Sequence, residues 1–201
     1  LSGPRGEARE RPSMTHSAFD PVHIETERLL LRSIEERDAP GLFRIFSDPA
    51  VMRFWSTRPW GDLEVARSRA RSSIEGRLAR EELYVGLFLK EDDALIGTCS
   101  LFSFHHPSRR AEIGYALAKY AWGNGYMREA LTAMIDFAFR TLDLNRIEAD
   151  IDPRNQASAR TLDRLGFRRE GELRERWIVE GEVSDSWLYG LLRSEWRGVV
   201  G

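Results

Sequence analysis

Cysteine is almost absent. Cys99 is the only one, so no disulfide can form within the chain, and the expected setting is a reducing compartment, the cytoplasm. Lysine is nearly absent too: Lys90 and Lys119 stand alone, and the remaining basic residues are arginines scattered without a patch. With 30 basic against 32 acidic residues the formal net charge is −2, which argues against binding nucleic acid or a membrane surface through bulk charge. No run approaches the ~18 uninterrupted apolar residues of a transmembrane helix, and the N-terminus lacks a secretory apolar stretch. Large apolar groups are also sparse in residues 1–20, which are rich in Gly, Pro, Ser, Arg and Glu. This stretch is expected to be a disordered leader or a vector-derived remnant, with Met14 a candidate natural start. Residues 21–201 have the length of one domain with a substantial core.

Apolar periodicity supplies the elements. A strand is expected over Ile24–Ile34, a helix over Glu35–Ser47 and, after Asp48-Pro49, an irregular aromatic segment Val51–Trp60. Asp62 is placed to cap a very polar helix running to about Ala79. Leu83–Leu89 and Ala94–Phe104 pattern as a hairpin across Glu91-Asp92-Asp93, and Arg109–Leu117 as a further strand. A helix over Tyr126–Leu142, a strand Arg146–Ile151, a helix Asn155–Leu165 closed by Gly166, and a hairpin turning at Glu180-Gly181 complete the chain. The order implies a mixed α/β (α+β) domain, with helices on both faces of one sheet.

Trp122-Gly123-Asn124-Gly125-Tyr126-Met127-Arg128-Glu129-Ala130 joins an apolar strand to an amphipathic helix. Glycines there open backbone conformations closed to other residues, and the helix points its free N–H groups and positive dipole end at the turn. That combination suits an anion, phosphate first, although a tight connection without a ligand has the same signature. A dinucleotide fingerprint needs glycine where Arg128 stands, and a P-loop needs a Gly-Lys-Ser/Thr that the segment lacks.

The segment resembles the acyl-CoA pyrophosphate loop of the GNAT N-acetyltransferase superfamily, in the Trp-Gly-x-Gly-Tyr form of its RimJ/RimL-like branch. Thr26-Glu27-Arg28-Leu29-Leu30-Leu31-Arg32, Asp48-Pro49 followed by Val51-Met52, and Glu112-Ile113-Gly114-Tyr115 resemble the same branch. So do Pro153, Asn155 and Ser158 in their spacing, Leu165-Gly166-Phe167 with Glu170-Gly171, and Leu191-Leu192-Arg193-Ser194-Glu195-Trp196. The matches run in order over about residues 22–197. Two positions depart from the general pattern: Trp122, where Gln or Arg is usual, and Met127, where a small residue is usual.

The resemblance implies a mostly antiparallel sheet of about seven strands, splayed between the fourth and fifth. It implies acetyl-CoA as donor without a metal, a primary amine as acceptor, direct attack in a ternary complex, and compatibility with a homodimer. Main-chain groups of Tyr115, Ala116 and Leu117 would pair with pantetheine, with the Leu117 N–H as oxyanion donor. Those of Gly123, Asn124, Gly125, Tyr126, Met127 and Arg128 would hold the pyrophosphate. Asn155 would bond pantetheine, besides being placed to cap a helix. Many members carry a tyrosine acid seven residues after that asparagine; Leu162 stands there and cannot donate, which makes Ser158 the candidate acid, the alternative being a small residue packed on the sheet. Glu112 and Asp150 are the candidate bases, or else charges paired with arginines.

Phe54, Trp55 and Trp60 would wall the acceptor pocket or fill core, and Trp177 and Trp187 carry the same ambiguity. His105 and His106 are expected in a surface loop. The leading expectation is acetylation of a protein N-terminal α-amine, ribosomal-protein-like; the alternatives are a small-amine acetyltransferase (amino acid, polyamine, amino sugar or antibiotic) and a non-catalytic acyl-CoA-binding module.

Overall fold

The computed structural model describes residues 19–198. The expectation for residues 1–20 therefore lies almost wholly outside the described residues; Phe19, at its edge, is buried with its ring 5.3 Å from that of Phe104.

The strand expected over Ile24–Ile34 is two strands, β1 (His23–Glu25) and β2 (Leu29–Ser33), paired antiparallel with Glu25 opposite Leu30. The Thr26 N–H donates to the Leu29 carbonyl and the Thr26 hydroxyl accepts from the Leu29 N–H, which folds the chain back at Glu27-Arg28. Nothing there carries the Asn-Gly or Asp-Gly signature of such a hairpin, so periodicity alone runs through it. The helix expected from Glu35 starts later, as α1 (Ala39–Phe46) after a 3-10 turn at Glu36–Asp38. There Asp38 accepts from the Glu35 N–H and from both terminal nitrogens of Arg32. The segment expected to be irregular opens with one helical turn, α2 (Pro49–Met52), whose Ala50 N–H is capped by Asp48.

The polar helix is α3 (Leu63–Leu78), capped by Asp62, and its buried residues are Ala66, Ala70 and Ser73. Side chains that small let it lie against the sheet although its sequence has no apolar stripe. The remaining elements match their expected positions: β3 (Leu83–Leu89), β4 (Leu95–His105), β5 (Arg110–Leu117), α4 (Tyr126–Arg140), β6 (Arg146–Ile151), α5 (Gln156–Arg164), β7 (Arg168–Val179) and β8 (Glu182–Leu192). Glu180 and Gly181 turn the last hairpin with φ of +54° and +85°, the left-handed pair that suits the twist of the strands.

The sheet has eight strands in the order β1-β2-β3-β4-β5-β6-β8-β7, all antiparallel except β5–β6. One more strand than the expected seven follows from the β1–β2 fold-back. Leu29 and Leu31 face the core formed with α4 and α5, and Leu30 packs against the second core, under α1 and α3. A strand covered on both faces has no polar side, which accounts for the unbroken Leu29-Leu30-Leu31 run. Among the described residues no helix is long and apolar enough to cross a membrane.

Helix α4 buries Ala130, Leu131, Met134, Ile135, Ala138 and Phe139 on one face. Met134→Ala removes a fully buried side chain and is expected to cost about 2–5 kcal/mol, read by urea denaturation.

Candidate active site

Strands β5 and β6 pair in parallel at only three steps: Arg110 with Arg146, Ala111 with Ile147, and Glu112 with Glu148. Beyond Glu112 they diverge, and these are the strands expected as fourth and fifth. The Ala118 N–H donates to the Ile96 carbonyl at 2.7 Å, and alternation along the β4–β5 ladder then turns the main-chain groups of Tyr115 and Leu117 into the gap. Ala116 is a correction to the expected trio. Its main chain faces Thr98 on β4, and its side chain is buried in the second core.

At the open end of the gap lies the glycine turn. Gly123 and Gly125 have φ of +80° and +79°, and a side chain built on Gly123 would meet nothing within 4 Å. Glycine is needed here for its backbone conformation, with its openness toward solvent a second property of the site. Gly125 is the N-cap of α4, so the turn leads directly into the free N–H groups of the helix, an arrangement of the kind that can hold an anion. The Met127 side chain packs against the first core. Trp122 closes the end of β5 by donating its indole N–H to the Leu117 carbonyl at 2.7 Å.

Across the gap stands α5. Asn155 caps it, its Oδ1 accepting from the Ser158 N–H at 3.1 Å. Ser158 is buried, and its Oγ lies 2.6 Å from the Tyr115 hydroxyl. Burial pushes the Tyr115 phenol well above its ordinary value, against the hydrogen bond with Ser158. This side-chain role of Tyr115 was missed from the sequence, where only its main chain was considered; the signal was a tyrosine in a buried strand, whose hydroxyl needs a partner. Leu162 is fully buried in the first core.

On the opposite face of the sheet a cleft of about 400 Å³ opens beside the fork, lined by Glu112, Glu148, Asp150, Glu170, Arg146 and Arg176 among others. Three of its carboxylates are paired: Glu148 with Arg110 and Arg146, Glu170 with Arg146, and Asp150 with Arg176 at 3.7 Å. Among the described residues Glu112 has no ion pair. Burial raises its carboxyl above the usual range and the charges of Glu148 and Asp150 add to this, against the hydrogen bond from Ser103 and the charge of Arg110.

Phe54 and Trp55 line a second cleft, of about 470 Å³, between the α2 segment and the tip of the β7–β8 hairpin. Trp60 does not line it; its ring stacks on Phe46 with centroids 4.5 Å apart, in the second core. Trp177 donates to Ser186 and Trp187 lies under Arg169, both on the last hairpin. His105 accepts from the Ser108 N–H and His106 stacks on Phe104, in the exposed turn expected for them.

The model of the Acetyltransferase (GNAT) domain matches residues 28–168. The chain belongs to the GNAT acetyltransferases. It is an acetyl-CoA-dependent N-acetyltransferase. An N-acetyltransferase of Bacillus licheniformis is 38% identical over 179 residues, covering 87% of this chain and 98% of the relative. The [ribosomal protein uS5]-alanine N-acetyltransferase of Escherichia coli is 30% identical, covering 87% and 93%. The crystal structure of the ribosomal-protein-S5-alanine acetyltransferase of Vibrio fischeri superposes with a TM-score of 0.78 at 28% identity, covering 88% and 99%.

Because Asn155 is an observed cap, Asn155→Ala is expected to lose about 1 kcal/mol of stability in the absence of any donor, and Asn155→Ser to lose less. Urea denaturation of the free protein measures this cap contribution separately from donor binding.

Proposed function

We propose that this GNAT enzyme acetylates a protein N-terminal α-amine, of the ribosomal-protein kind, by direct attack on acetyl-CoA in a ternary complex. The observation that carries the chemistry is Glu112, half-buried and without an ion pair at the last paired step before β5 and β6 part. An amine attacks only as its free base, and a carboxylate of raised proton affinity accepts that proton better than one held down by an arginine. Glu112 takes the proton, directly or through a water; Asp150, beside Arg176, contributes charge to the cleft.

The main-chain N–H groups from Gly123 to Arg128 hold the pyrophosphate, and Tyr115, Leu117 and Asn155 hold the pantetheine arm. The Leu117 N–H faces the acetyl oxygen, a contact worth about 3 kcal/mol in such sites. Ser158 serves the departing sulfur from the face opposite Glu112. Tyr115 keeps its proton at neutral pH and donates it to the Ser158 oxygen, which leaves the Ser158 proton free for the sulfur. A thiol of ordinary pKa, about 8.5, leaves with only modest help.

For the acceptor, two relatives are named as acetyltransferases of an alanine of ribosomal protein S5. The open cleft beside Glu112 has four lining carboxylates to two lining arginines, which suits a cationic peptide end. Phe54 and Trp55 then meet the residues that follow. The cytoplasm is the compartment on this reading, in keeping with the free thiol of Cys99.

A thiol-release screen with acetyl-CoA against N-terminal peptides, polyamines and amino acids tests the acceptor. Turnover with peptides is expected, whereas turnover with a polyamine or amino acid alone overturns the peptide reading. Glu112 must be ionised to act, so kcat/KM should rise with pH through an apparent pKa above the ordinary glutamate value of about 4.3. Glu112→Gln should abolish that limb and lower kcat/KM by about 10²- to 10⁴-fold, with Asp150→Asn costing less.

A further inference from the structure

Glu129 stands in the first turn of α4, beside the glycine turn. A carboxylate there suits the helix dipole, yet it repels any anion the turn holds. Its side chain is directed away from the turn, across to the β1–β2 hairpin. Glu129 Oε1 accepts from the Thr26 hydroxyl at 2.6 Å and from the Arg28 N–H at 2.8 Å, and Oε2 accepts from Arg28 Nε at 2.7 Å. Arg28 Nη2 lies 2.7 Å from the same oxygen. Burial pushes the Glu129 carboxyl up, but these hydrogen bonds and the Arg28 charge outweigh it and hold the group below its usual range.

The same guanidinium reaches the turn itself. Arg28 Nη1 donates to the Asn124 carbonyl at 2.9 Å, and the group lies 4.5 Å over the Tyr126 ring, the first residue of α4. Three nearby carbonyls are treated alike. Asn124 Nδ2 donates to the Ala121 and Trp122 carbonyls, and the Trp122 indole donates to Leu117. Four carbonyl oxygens in and beside the turn are thus occupied by side-chain donors, which blunts their negative charge next to the free N–H groups of the helix.

We propose that Arg28 is a positioning residue for acetyl-CoA: by holding Glu129 and the Asn124 carbonyl at once, it neutralises the acidic first turn of α4 and locks the glycine turn in its N–H-presenting shape. The inference rests on the reading of that turn as the pyrophosphate site. It gives the Thr26-Glu27-Arg28 stretch a task distant in sequence from the loop it serves.

The test compares acetyl-CoA with acetyl-pantetheine, which has the thioester but no pyrophosphate, in the wild type, Arg28→Ala, Arg28→Lys and the Arg28→Ala/Glu129→Gln double variant. Arg28→Ala is expected to raise KM for acetyl-CoA at least tenfold on the order expected for a lost charge-assisted contact, with kcat at saturating donor held within about twofold. Its kcat/KM for acetyl-pantetheine should match the wild type. Removing the exposed negative charge in the double variant should recover a large part of the acetyl-CoA loss, which a purely structural role would not do. Arg28→Lys keeps the charge but loses the fork, so an intermediate KM is expected, and it carries the test should Arg28→Ala not fold. An unchanged KM for acetyl-CoA in both Arg28 variants, or equal losses with both donors, overturns the positioning role. A wild type that uses both donors equally well overturns the pyrophosphate assignment beneath it, and the proposal with it.

Discussion

After Glu112 and Glu148, β5 and β6 stop pairing although both run on through the middle of an eight-stranded sheet. Main-chain groups left without partners inside a fold are costly, and proteins pair nearly all of them. The gap is therefore stable only where something with its own donors and acceptors, water or an extended ligand, can lie along it. The fork sets the place of every other feature of the site. Its vertex is marked by Glu112, its wall by the main chain of Tyr115 and Leu117, and its mouth by the glycine turn.

Because side chains alternate along a strand, the fork also sorts the chemistry onto two faces. Tyr115 and Ser158 meet at 2.6 Å on the face covered by α4 and α5, whereas Glu112 opens into the cleft on the other. A carboxyl group and a pair of hydroxyls are thus held apart by the thickness of the sheet, with the gap between them. Covering the sheet near β2 to β5 falls to α1 and α3, and β6 to β8 leave the cleft open beside it. The small buried face of α3 (Ala66, Ala70, Ser73) keeps that cover close to the strands.

Much of this was legible in the chain. The glycine turn, the Asp62 and Asn155 caps, and the strand–helix order from Leu83 onward follow from local chemistry: positive-φ glycines, short polar caps and apolar periodicity. What escaped was set by partners far along the chain. The turn at Glu27-Arg28 is held by Thr26 hydrogen bonds and by Glu129, and nothing local distinguishes Ile24–Ile34 from one continuous strand. Trp60 and Trp55 have the same composition and neighbourhood, yet one stacks within the core on Phe46 and the other also lines a cleft. The pairing of Tyr115 with Ser158 joins residues 43 apart, and Ala116 lost its expected place to the hydrogen-bond register with Thr98.

The residue types and their spacings by themselves determined most of the elements from Leu83 onward, the glycine turn before α4 and the family the chain resembles, because these depend on contacts within a few residues. Only the tertiary structure decided which carboxylate of the cleft is left without an arginine. Glu112, Glu148, Asp150 and Glu170 are all carboxylates with arginines nearby in sequence or space; they differ because Arg110, Arg146 and Arg176 come within ion-pair distance of three of them and not the fourth. Reach in three dimensions, over ångströms, sets the electrostatics of a carboxylate, and no spacing along the chain encodes it.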